Sequence, residues 1–134
     1  HDVTGSRANG YGAGIPPRTP EEAAHILLSL AREHDLTLFE HFETDEAGHA
    51  RSMERGLDAL HRVDRLARAV VEGLGPGDSL LVASDHGNLE DLGTRNHTRN
   101  PVPVLGFGRA AELVDRVSDL TGIAPVLRAL AGGR

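Results

Sequence analysis

From Ala50 to Gly73 the apolar residues Met53, Leu57, Leu60, Val63, Leu66, Ala67 and Val70 recur at steps of three and four, with arginines and aspartates between them. That period predicts a long amphipathic helix with one face against a core. A turn-forming run, Gly73-Leu74-Gly75-Pro76-Gly77-Asp78, leads into Ser79-Leu80-Leu81-Val82-Ala83, a short apolar stretch of the kind found in strands buried on both faces. A long helix delivered through a tight turn into a buried strand narrows the choice to layered α/β arrangements.

The flanking sequence extends the alternation. Thr19-Pro20-Glu21-Glu22 combines a good N-cap, a proline suited to the first helical position and acids at the positive end of the dipole, so a helix is expected from Pro20 to Glu33. Asp35 to Phe42 alternates apolar and polar residues and reads as a strand, followed by a polar turn from Glu43 to His49. A further strand is expected over Val102 to Phe107, then a short helix, a brief extended piece near Val117 and a closing helix from Ile123 to Leu130. The whole predicts an α/β fold with a mainly parallel sheet and helices on both faces. Residues 1–18 have no sustained period and read as a loop-rich N-terminal segment, leaving 19–134 as the α/β domain.

Composition removes several functions. The formal net charge is −6 and the basic residues are scattered among acids, which argues against a nucleic-acid partner. No apolar run approaches the length of a membrane span, and a cytoplasmic protein is the expectation. With no cysteine, any metal must be held by carboxylate and imidazole.

In parallel α/β sheets, ligands gather beyond the C-terminal ends of strands, because helices cover the faces. The predicted Phe39 strand runs into Glu43-Thr44-Asp45-Glu46-Ala47-Gly48-His49, and the Leu81 strand runs into Ser84-Asp85-His86-Gly87-Asn88. Asp45 and His49, four apart, share a face if a helix starts just before Asp45. Asp85 and His86 are neighbours at a strand end and can serve metals on either side of the chain. His97 supplies a third imidazole. Each motif alone has an ordinary reading as helix start or turn; their joint placement on one edge is what points to a metal site. His1, His25, His34, His41 and His61 lack acidic company at useful spacing and read as solvated or structural.

The run Leu80-Leu81-Val82-Ala83-Ser84-Asp85-His86-Gly87-Asn88-Leu89-Glu90, followed by Asn96-His97-Thr98-Arg99-Asn100-Pro101-Val102-Pro103, resembles the C-terminal part of cofactor-independent phosphoglycerate mutases. Asp45-Glu46-Ala47-Gly48-His49 resembles their Asp-x-x-Gly-His element, and Asp119 to Leu127 resembles the closing segment of the wider alkaline phosphatase superfamily, which includes phosphopentomutase. The resemblance spans about residues 19–131 and implies an alkaline phosphatase-like fold, present here as a C-terminal portion. It implies two divalent ions, Mn²⁺ or Zn²⁺. Asp45, His49 and His97 would bind one, and Asp85 and His86 would contribute to the second. Arg95, Arg99 and Asn100 would reach oxygens of a phosphorylated small-molecule substrate.

Members of that family also carry an Asp completing the second site and a Ser or Thr nucleophile near their N-terminus, and no segment of this chain resembles either. The expectation is therefore phosphomutase-like phosphoryl transfer in an intact protein, with this chain inactive alone. A phosphatase or phosphodiesterase of the same superfamily, or a non-catalytic metal-binding module, are the alternatives.

Overall fold

A computed structural model describes residues 3–132; His1, Asp2, Gly133 and Arg134 lie outside the described residues. Five α-helices, α1 (Ser6–Gly10), α2 (Pro20–Glu33), α3 (Glu43–His49), α4 (Met53–Gly73) and α5 (Ile123–Ala131), accompany two strands, β1 (Ser79–Ala83) and β2 (Val104–Gly108). Short 3-10 turns at Arg109–Glu112, Val114–Arg116 and Leu120–Gly122 join β2 to α5.

Helix α2 begins as its sequence dictates. Thr19 Oγ1 accepts from Glu22 N at 3.2 Å, Glu22 Oε2 accepts from Thr19 N at 2.7 Å, and Pro20 takes the first helical position. The reciprocal cap satisfies two backbone donors that a helix start otherwise leaves to water. Ala24 and Leu28 of α2 pack with Leu66 and Val70 of α4 and with Val3 to form the core, and Leu80 of β1 lies against it. The participation of Val3, together with the turn of helix at Ser6–Gly10, ties part of the loop-rich N-terminal segment into the body. On the rim, Arg65 grips Glu21 in a two-pronged pair at 2.7 and 2.8 Å. Its hydrogen bonds hold the Glu21 carboxyl down to about 2, well below the usual range.

Helix α4 starts at Met53, three residues later than the apolar period alone suggests. Arg51 is in the left-handed region, φ 54°, and breaks the helical path, after which Ser52 caps the new helix by accepting from Arg55 N at 3.3 Å.

The sheet departs from the expected architecture. Strands β1 and β2 pair antiparallel, with Ser79 opposite Gly108 and Ala83 opposite Val104, and they are the only sheet among the described residues. A mainly parallel sheet with helices on both faces is not present among the described residues. Asp35 to Phe42 is not a strand: its alternation is real, but a strand exists only through a ladder partner, and neither β1 nor β2 pairs with it. Leu36 and Leu38 consequently stand 59% and 80% exposed. The expected polar turn at Glu43–His49 is helix α3, and the extended piece near Val117 is confined to the short link between 3-10 turns, where Val117 and Asp119 are extended. No described helix is long and apolar enough to cross a membrane.

Candidate metal centre

The antiparallel pairing creates the site. Because Ala83 opposes Val104, the intervening residues 84–103 form one long loop whose two arms face each other, and a bridge between Gly87 and Thr98 closes it, with Thr98 N donating to Gly87 O at 2.9 Å. One arm carries Asp85 and His86 and the other carries His97. The rings of His86 and His97 stack, with centroids 3.6 Å apart and planes inclined by 15°.

Helix α3 brings Asp45 and His49 to the same place. At a spacing of four they share a face, and His49 Nε2 lies 3.3 Å from Asp45 Oδ1. Two further contacts dock this helix and the turn after it on the loop: His49 Nδ1 lies 2.6 Å from the carbonyl oxygen of Arg95, and Arg51 Nε donates to Leu92 O at 2.8 Å. Close approach is possible because residue 48 is glycine. A Cβ there would stand 1.3 Å from Asn88 Oδ1.

His97 Nε2 lies 3.3 Å from Asp45 Oδ1 and 3.2 Å from His49 Nε2. Three donor atoms thus form a nearly equilateral triangle. In a tetrahedral zinc site with bonds of about 2.0–2.1 Å, neighbouring donor atoms fall about 3.3 Å apart, so the triangle has the size of one face of that polyhedron.

The tautomer supports the same use. A carbonyl can only accept, so His49 carries its proton on Nδ1 toward Arg95 O and presents the Nε2 lone pair to the triangle, the arrangement in which ligating histidines are oriented. Asp45 Oδ1 is buried and accepts no hydrogen bond among the described residues despite its nearness to two imidazoles. An oxygen so placed fits a shared cation better than an N–H donor. Asp45, His86 and His97 also offer ligand atoms that all lie within 4.8 Å of one another, which places His86 beside the triangle. The residues present fit a divalent ion.

The description "Metalloenzyme superfamily" matches residues 15–128. The chain belongs to the metalloenzyme superfamily. Among its relatives, a 2,3-bisphosphoglycerate-independent phosphoglycerate mutase of Cereibacter sphaeroides is 32% identical over 121 residues, covering 84% of this chain and 24% of that protein. Proteins of the same name from Desulforudis audaxviator, 30% identical over 125 residues, and Paracoccus denitrificans, 31% identical over 121, cover 87% and 84% of this chain and 25% and 24% of theirs. The chain spans about a quarter of the length of the curated relatives it matches. No solved structure matches it.

The remaining superfamily-type residues are placed as follows. Asp85 is largely exposed at the mouth of the loop, with its Oδ2 3.5 Å from His86 Nε2. Arg95 and Arg99 are exposed on the loop's second arm. Asn100 is also exposed, and its Nδ2 donates to Glu90 Oε1 at 2.9 Å. His41, read from spacing alone as lacking acidic company, has its Nε2 3.7 Å from Glu43 Oε2, and Arg62 Nε approaches the same oxygen at 3.5 Å.

Two residues escaped a search for ligand types. Asn88 is 6% exposed, and both polar atoms of its amide are buried with no hydrogen bond among the described residues. Glu90 joins both arms of the loop. Both lie within the Asp-His-Gly-Asn-x-Glu run, and the nearness of a carboxylate four residues after His86 is the available signal.

Proposed function

We propose that this chain carries the metal-holding part of a phosphoryl-transfer centre acting on a small phosphorylated hydroxy acid, as in a phosphoglycerate mutase. The donor triangle of Asp45, His49 and His97, with edges of 3.2–3.3 Å and a histidine whose tautomer is fixed by a backbone carbonyl, carries the reading.

Asp45, His49 and His97 would hold one divalent ion, Mn²⁺ or Zn²⁺, while Asp85 and His86 would face a second completed by groups outside this chain. Bound there, the ions supply Lewis acidity that offsets charge on phosphoryl oxygens during in-line displacement. The chain's own residues hold the geometry. Arg95 O fixes the ring of His49, the stacked His86 keeps His97 from rotating, and Arg95 and Arg99 offer cationic hydrogen-bond donors to phosphoryl or carboxylate oxygens. No nucleophile is assigned within this chain; the hydroxyl of Ser84, next to Asp85, donates to the His86 carbonyl at 2.9 Å.

The test is an assay with Mn²⁺ of an enzyme containing this segment, offered 3-phosphoglycerate and an aryl phosphate. Isomerisation should dominate hydrolysis, Asp45→Ala should remove both, and the 134-residue chain alone should do neither. Hydrolysis without isomerisation would move the protein to the phosphatases of the superfamily. Robust turnover by the isolated chain, or full activity in Asp45→Ala, would contradict the proposal.

A further inference from the structure

Glu90 is exposed and lies outside the triangle, yet both of its carboxylate oxygens are held by the loop. Its Oε1 accepts from the Thr98 hydroxyl in a short hydrogen bond and from Asn100 Nδ2 at 2.9 Å, while its Oε2 accepts from Asn88 N at 2.6 Å. Asn88 belongs to the arm bearing Asp85 and His86; Thr98 and Asn100 belong to the arm bearing His97. One carboxylate therefore fastens both arms, each within two or three residues of an imidazole. A Cβ on Gly87 would stand 2.7 Å from Glu90 Oε1 and 2.2 Å from Thr98 Oγ1, so the glycine is what lets the fastening close.

We propose that Glu90 is a positioning residue that pre-sets the distance between the two arms, and through it the placement of His97 against His86 and Asp45. The inference rests on the metal-centre reading given above.

Three donors satisfy an anion that a neutral side chain of the same shape cannot replace. The Thr98 hydroxyl is the largest of the effects that hold the Glu90 carboxyl down to about 2, so the clamp is ionised at all ordinary pH. Glutamine at this position would keep one carbonyl oxygen for Thr98 and Asn100 but would turn an NH₂ group on the N–H of Asn88, donor against donor. Glutamine should give partial function and alanine less. The loop contributes nothing to the Val3, Leu28, Leu66 and Val70 core, so its loosening should leave the metal-free fold intact.

The decisive experiment compares Zn²⁺ and Mn²⁺ affinity with the melting temperature of the metal-free protein for the wild type, Glu90→Gln, Glu90→Ala and Thr98→Val. Loss of a direct outer partner of a metal ligand typically weakens binding about 10–100-fold. Glu90 holds the residues beside the ligands, so Glu90→Ala should fall at the lower end, about 10-fold, and Glu90→Gln between it and wild type, with metal-free melting unchanged. Equal affinity in all four proteins overturns the clamp while leaving the metal centre standing, and so does an affinity loss that only follows a loss of metal-free stability. Should the wild type bind no metal, the metal-centre reading falls, and amide exchange at Thr98 decides the clamp. Faster exchange in Glu90→Ala supports a fastened loop; unchanged exchange overturns it.

Discussion

Asp45→Ala should abolish tight divalent-metal binding by the chain while leaving its metal-free fold nearly as stable as before. Structural zinc sites gain about 10–16 kcal/mol from three or four ligands, so one ligand carries about 3–4 kcal/mol, on the order of 10²–10³-fold in affinity. The oxygen removed is the only anionic corner of the triangle, 3.3 Å from both His49 Nε2 and His97 Nε2. Removing it should cost the metal-free protein little, because among the described residues Asp45 Oδ1 is buried without a hydrogen bond and its loss orphans no donor. The two effects separate in a melting experiment. Saturating metal stabilises a protein by about 4 kcal/mol at a thousandfold excess over Kd, and that increment should vanish in Asp45→Ala. Arg99→Ala, which alters an exposed arginine on the same loop, should keep it. Retention of the full increment in Asp45→Ala would remove Asp45 from the site.

Gly48→Ala should damage folding and metal binding together. The added methyl would overlap Asn88 Oδ1 at 1.3 Å and meet Leu89 N at 3.2 Å, and Asn88 is enclosed at 6% exposure, so the amide has nowhere nearby to turn. Overpacking of this kind costs about 1–3 kcal/mol, sometimes more. The relief available is movement of α3 away from the loop, which separates Asp45 and His49 from His97. Thermal denaturation and metal titration of Gly48→Ala, Asn88→Ala and the double variant form a cycle in which the double variant should recover part of both losses. A neutral Gly48→Ala would show that α3 does not press on the loop as described.

Much of this was readable before any coordinates. Thr19, Pro20 and Glu22 marked the start of α2, and the three- and four-step repeat through Leu66 and Val70 marked α4, because caps and amphipathic periods are local properties of the chain. The same locality explains the failures. Asp35 to Phe42 has the alternation of a strand, but pairing is non-local, and sequence cannot show whether a partner is present. Strand direction differs for the same reason: Ser79–Ala83 and Val102–Phe107 are expected to join a mainly parallel sheet, whereas the long loop folds back and the observed strands pair antiparallel. At the site, ligand types at suggestive spacing brought Asp45, His49, Asp85, His86 and His97 to notice. Neither the carbonyl of Arg95 nor the carboxylate of Glu90 announces itself that way, since one is backbone and the other acts on residues that are not ligands.

The central claim is that Asp45, His49 and His97 converge on one ion, and X-ray absorption at the zinc edge of the loaded, dialysed chain addresses it most directly. The account predicts a first shell of two imidazole nitrogens and a carboxylate oxygen at about 2.0–2.1 Å, with the imidazole contribution reduced in His97→Ala. An all-oxygen shell, or an imidazole signal unchanged in His97→Ala, would contradict it.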